Sequence, residues 1–201
     1  MSDTKNTSRS RGRPRRFDAD EGVATAQQLF HARGYDAVSV ADMTEALGIN
    51  PPSFYAAFGS KAGLYARVLD RYAATGAVPL ADLLRPDQPV AECLAAVLEA
   101  AARQYVADPV ATGCLVVEGT RCDDPGARDA ACAAQAHAEA VIRAFIAARH
   151  PEAADRMTDF VSSTMSGLSA KARNGLDADR LLAIARMAGR AVAQELSGKA
   201  G

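Results

Sequence analysis

The sequence predicts an all-α protein in which a small N-terminal three-helix domain precedes a larger helical bundle. Three observations predict it. Apolar residues make up 49% of 201 residues, yet aromatics reach only 5% and Trp is absent. Alanine, the strongest helix former, dominates the apolar set. Apolar side chains recur three and four residues apart in segment after segment, and Ser, Asn or Asp before a segment and Gly after it mark its ends.

Residues 1–16 carry Lys5, Arg9, Arg11, Arg13, Arg15 and Arg16 against Asp3 alone, in a chain whose net charge is −1. This stretch has no apolar core, so it reads as a disordered basic arm on an acidic body, a localised attraction for a polyanion. It also lacks the apolar segment of a secretory signal, and no run is long and apolar enough to cross a membrane. The expected setting is the cytoplasm, with the four cysteines as thiols.

Val23, Ala26, Leu29 and Phe30 define a first helix over about 18–33, with Asp18, Asp20 and Glu21 in its first turn and Gly34 after its end. Ser39 then caps a second, short helix with Asp42 three residues on, a capping-box arrangement. Val40, Met43 and Leu47 form its stripe, and Gly48 ends it. Asn50 caps a third, Pro51 takes its first position, and Phe54 and Phe58 point to one side. Gly59 stops it. Ser60 caps a fourth helix with Leu64, Val68 and Tyr72 on one face. Two short helices around a tight Gly turn, at about 38–58, with a longer helix before them, make a helix-turn-helix. The DNA-binding domain is expected at 17–75 and a second helical domain at 76–201.

In that C-terminal part, Arg85 to Pro89 reads as a loop. Val90, Leu94, Val97, Leu98 and Ala101 stripe a helix that Asp108-Pro109 ends. The apolar run from Ala111 to Arg121 suits a strand or a short buried helix, and the helical context favours the helix. A long helix follows Pro125-Gly126 up to about His150. The next, over 151–175, is expected to turn Met157, Phe160, Val161, Thr164, Met165 and Leu168 inward. Asp177 caps a last helix striped by Leu181, Ala185, Ala188, Val192 and Leu196. The last two helices, about 152–196, are expected to form a homodimer interface as a four-helix bundle, with Ala185, Ala188 and Gly189 permitting close approach; the alternative is that both helices cap the monomer's own core.

Residues 17–70 resemble the TetR family of bacterial transcription regulators. The resemblance rests on Leu29, Phe30, Arg33, Gly34 and Tyr35 at the end of helix 1, on Ser39 to Ile49, and on Ser53 to Tyr65. Within the last stretch Tyr55, Phe58, Lys61 and Leu64 hold the family's spacing. The resemblance implies a homodimeric repressor reading a palindromic operator in double-stranded DNA and released by a small-molecule effector. It implies phosphate contacts at Tyr55 and Lys61 and groove or phosphate contacts at Ser39, Thr44, Asn50 and Ser53, where Ser39 and Asn50 also cap. Arg13, Arg15 and Arg16 of the arm are expected near a minor groove or along the backbone. Many members carry Lys-Gly where this chain has Pro51-Pro52. The change removes a cation and two backbone donors and leaves apolar contacts, such as to thymine methyls.

Leu98, Tyr105, Cys114, Leu115, His137, Phe160 and Met165 are the residues expected to line an effector pocket. Cys114, Cys122, Cys132 and His137 are spaced by 8, 10 and 5 positions. That matches no zinc pattern, so no metal or other cofactor is expected. The Gly113-Cys114-Leu115 segment resembles one in TetR-like regulators that sense electrophiles or oxidants, so a redox- or electrophile-sensing repressor is the alternative. His31, His137 and His150 lie in unrelated segments and suggest no catalytic set, so an enzyme is not expected. A non-specific architectural DNA-binding protein remains the other alternative.

Overall fold

The structure, a computed structural model, describes residues 17–198; the arm with Arg13, Arg15 and Arg16 lies outside the described residues. The helices are α1 (Ala19–Arg33), α2 (Val40–Leu47), α3 (Pro51–Phe58), α4 (Lys61–Thr75), α5 (Leu80–Leu83), α6 (Val90–Gln104), α7 (Leu115–Gly119), α8 (Pro125–Ala147), α9 (Ala154–Arg173) and α10 (Ala178–Ser197). A 3-10 turn, Pro151–Ala153, leads into α9. Among the described residues there is no strand, and no helix is long and apolar enough to cross a membrane.

Local chemistry sets the ends of the N-terminal helices. Asp18, Ser39, Asn50 and Ser60 each accept a hydrogen bond from a first-turn backbone N–H. At Ser39 the capping box is complete, with the Asp42 carboxylate reaching back to the Ser39 N–H at 2.7 Å. Gly48 sits in the left-handed region at φ 62°, which closes the turn between α2 and α3 at little steric cost.

Two hydrophobic cores result. One holds α1 to α4 together around Phe30, Met43, Phe54 and Leu64. It also takes in Leu115, Cys122, Ala127 and Ala131 from beyond residue 100. Phe30 stacks on Tyr35 at 5.5 Å and meets Tyr65 edge-on at 5.1 Å. The other core centres on α6, which packs against α10 and α9. The N-terminal core thus runs past residue 75 into the α7–α8 segment, because α4 buries its second face against those helices.

Three expectations change. The stripe of Ala185, Ala188 and Gly189 faces α6 of the same chain rather than a second copy. A Cβ on Gly189 would lie 2.9 Å from the Cβ of Ala95, so the small residues let α10 approach α6 closely. Phe160 does not turn inward; it is 38% exposed on α9, where the inward positions fall to Met157, Val161 and Leu168. The α6 helix ends at Gln104, earlier than Asp108, and the short helix α5 had no readable period because it is one turn long.

Candidate nucleic-acid interface and effector cavity

Helix α3 is amphipathic. Phe54 and Phe58 are buried, while Pro51, Pro52, Ser53 and Tyr55 face solvent, with Tyr55 51% exposed. The exposed Tyr55 side chain combines an apolar ring with a phenol that can donate or accept a hydrogen bond. The start of α3 presents little free backbone. Pro51 and Pro52 have no N–H, the Ser53 N–H donates to Asn50 Oδ1 at 2.9 Å, and the Phe54 N–H donates to the Asn50 carbonyl. An anion cannot be held there by main-chain donors. What α3 offers is two pyrrolidine rings, the Ser53 hydroxyl and the Tyr55 phenol.

The neighbouring expected contacts carry structural duties. Ser39 is exposed, but its N–H and hydroxyl both engage Asp42. Those bonds, with the Arg33 guanidinium, hold the Asp42 carboxyl down at about 2. Thr44 is half-buried and donates to the Ala41 carbonyl at 3.0 Å. Asn50 is committed to its cap. Lys61 is half-buried, with its ammonium 3.9 Å from the centroid of the Tyr35 ring. Burial lowers its pKa, against the pull of Asp36 and Asp124. A cation at a helix start opposes the helix dipole. Here the Tyr35 face and two carboxylates of the same chain compensate it.

The second site is a cavity of about 520 Å³ between the α4–α5 region and α8 and α9. Of the residues expected to line it, Tyr105, Cys114, His137 and Met165 do so. Leu98 and Leu115 are instead fully buried in the C-terminal and N-terminal cores, and Phe160 points away from it into solvent. Sequence reasoning missed Tyr72, Gln135, Glu139 and Ser162 in its wall. Tyr72 reads as core from its helical spacing, and Glu139 reads as one more solvated acid on an alanine-rich helix. Tyr72 and Tyr105 line the same wall as Cys114, and burial pushes both phenols up. Cys93 and Cys122 are buried and Cys132 is exposed, so Cys114 alone of the four thiols lines the cavity.

The family model for bacterial regulatory proteins of the tetR family matches residues 23–68, from α1 into α4. The HTH-type transcriptional repressor BdcR of Escherichia coli (strain K12) is 55% identical over 189 residues, which cover 94% of this chain and 96% of that one. The chain belongs to the TetR family of bacterial regulatory proteins. A second relative, the HTH-type transcriptional repressor ComR of the same organism, is 32% identical over 90% of this chain and 92% of its own length. Among solved structures, a cysteine mutant of the TetR family regulator CifR, complexed with 26-bp double-strand operator DNA, superposes with a TM-score of 0.80. It is 32% identical over 89% of this chain and 99% of that one.

In this TetR-family chain a seam of polar contacts ties α1, α4 and the α1–α2 connection to the segment around Cys114 and to α9. His31, in the last turn of α1, lies with Nε2 3.1 Å from the Gly113 carbonyl oxygen, one residue before Cys114. Arg173 on α9 donates to the His31 carbonyl at 2.9 Å, and its Nε lies 3.3 Å from Glu118 Oε1 as an ion pair without hydrogen-bond alignment. The Cys114 N–H donates to Ser169 Oγ at 2.9 Å. Further along, the Tyr35 hydroxyl donates to Asp124 at 3.1 Å, and the Tyr65 hydroxyl donates to the Leu115 carbonyl at 3.3 Å. No local pattern marks His31 or Arg173, because their partners lie 82 and 142 positions away.

Burial holds His31 below the usual imidazole range, and the Arg173 charge adds to this, while the Gly113 hydrogen bond acts the other way. The folded state therefore keeps His31 neutral where the unfolded chain takes up a proton. Its contribution to stability is present above about pH 6.5 and is lost as the pH falls below that value. Urea unfolding midpoints are expected to drop across this window in the wild type. The drop should be smaller in His31→Gln, which has nothing to titrate there. Parallel pH profiles for the two proteins would rule the assignment out.

Proposed function

We propose that this TetR-family protein is a ligand-responsive transcriptional repressor that binds a palindromic operator as a homodimer and is released by a small-molecule effector in the C-terminal cavity. The observation that carries the proposal is the solvent-facing edge of α3, where Pro51, Pro52, Ser53 and the exposed Tyr55 stand on a buried Phe54–Phe58 base. Support comes from full-length similarity to BdcR, named a repressor, and to CifR, which was solved on operator DNA.

In this reading α3 lies in a major groove, with the prolines against apolar base edges and Tyr55 on a phosphate. Ser53 and Thr44 stand near the groove, and Ser39 and Asn50 chiefly set helix geometry. Lys61 leaves the Tyr35 face for a phosphate when DNA is present. Arg13, Arg15 and Arg16 of the arm follow the adjacent backbone or minor groove. The two-fold interface forms from the outer faces of α9 and α10, where Phe160, Ile184 and Met187 are exposed. It does not use the alanine stripe already spent on α6. The protein acts in the cytoplasm and is not an enzyme. Release through covalent capture at Cys114 is the second reading, favoured by that thiol's place in the cavity wall.

A gel shift on genomic fragments at fixed salt tests the proposal. The protein should select fragments carrying a pseudo-palindrome whose half-sites lie about one or two helical turns apart. Tyr55→Ala should bind that site at least about tenfold more weakly, the scale of a lost hydrogen bond to a charged group. Its unfolding midpoint should stay put, because the ring is half exposed. Uniform binding to every fragment would mean an architectural protein, and binding to none would end the regulator reading. Adding a maleimide to the same assay examines the Cys114 alternative.

A further inference from the structure

The cavity is apolar over most of its wall, and its one carboxylate is Glu139 on α8. Both hydrogen bonds that Glu139 accepts reach a single oxygen, Oε1. One comes from Gln135 Nε2 one turn earlier, at 2.8 Å, and the other from the Ser162 hydroxyl on α9. Among the described residues Oε2 has no hydrogen-bond partner. Among the described residues no lysine or arginine pairs with Glu139, and none lines the cavity. An ionised carboxylate only accepts hydrogen bonds, and beside apolar walls it needs a donor or a positive charge. With its Nε2 turned to Glu139, Gln135 keeps its carbonyl oxygen free, so this end of the cavity is rich in acceptors.

We infer that the cavity takes an amine: a molecule with an apolar body and an ammonium group that seats against Glu139 Oε2. This rests on the reading of the cavity as the effector site and assigns the effector's chemical class. The apolar wall suits the body of the ligand, and the Tyr72 and Tyr105 rings offer faces that also attract a cation. Carboxylates and phosphates are disfavoured by the same geometry. They would meet Glu139 as a like charge with no cation to offset it. His137 also lines the wall and is exposed to solvent.

Isothermal titration calorimetry on the full chain near pH 7, with 4-phenylbutylamine, 4-phenylbutanol and 4-phenylbutyrate as matched probes, tests this. The amine should bind the wild type at least about tenfold more tightly than the alcohol, and the carboxylate should be weakest. Glu139→Gln keeps the shape and an acceptor for Ser162 and should bring the three probes to similar affinity. Glu139→Asp keeps the charge and should retain part of the preference. The inference is overturned if the carboxylate binds as well as the amine, if Glu139→Gln keeps the amine preference, or if none of the three binds the wild type at millimolar concentration. Operator binding of wild type and Glu139→Gln by gel shift is read separately. Loss of DNA binding in the wild type would refute the regulator reading while leaving the amine result to stand or fall alone.

Discussion

Removal of residues 1–16 is expected to weaken operator binding at about 0.15 M salt by a hundredfold or more, and to flatten its salt dependence by several units of slope. The physical basis is counterion release. Each phosphate neutralised on B-DNA contributes about −0.9 to the slope of log K against log salt. The arm holds six basic side chains against one acid, so a dimer brings twelve cations to the duplex. Only part of them needs to engage for the loss to reach that size. The shortened chain should begin at Phe17, because Phe17 packs edge-on against Phe58 at 5.9 Å and belongs to the folded head. Thermal unfolding should be nearly unchanged, which separates the effect from misfolding. An unchanged salt slope would show that the arm does not reach the DNA, and the charge segregation would then need another account.

Phe30→Ala is expected to cost about 3–5 kcal/mol of unfolding free energy, the usual price of emptying a fully buried phenyl site. Phe30 has no exposed surface and sits between Tyr35 and Tyr65. Tyr65 is tied to the Leu115 carbonyl, and Leu115, Ala127 and Ala131 share the same core. The head cannot loosen without loosening α7 and α8. The variant should therefore lower a single melting transition seen both by far-ultraviolet circular dichroism and by tyrosine fluorescence. Two separated transitions, with only the first moved by the substitution, would mean that the DNA-binding head folds independently. That outcome would also weaken the proposed release by an effector, which needs the cavity and the head to be coupled. A change at Cys114 or Ser169 could then no longer be felt at His31.

Much of the N-terminal architecture was legible because it is local. Capping by Ser39, Asn50 and Ser60 depends on side chains within three residues of the groups they satisfy, and so does the Gly48 turn. The Phe54–Phe58 spacing likewise settles which face of α3 is buried and leaves Tyr55 outside. Even Pro51 and Pro52, which depart from many family members, could be assigned their consequence from covalent structure alone. The cavity was legible only in part. Tyr105, Cys114, His137 and Met165 line it, but Leu98 and Leu115 are equally apolar and went to the cores.

Neighbours in the chain were therefore enough for the longer helices, the helix-turn-helix and the uneven placing of charge, but not for the one-turn α5. Only the tertiary structure decided where the alanine stripe of α10 packs and what faces the Lys61 ammonium. It alone decided that Glu139 meets Ser162 inside a cavity and that His31 joins Gly113 and Arg173. Those pairings span from 23 to 142 positions wherever a hydrogen bond makes them. A helix's own period tells which side chains share a face. It carries no information about which other helix that face will meet, because apolar faces attract without direction and only volume and shape choose among them.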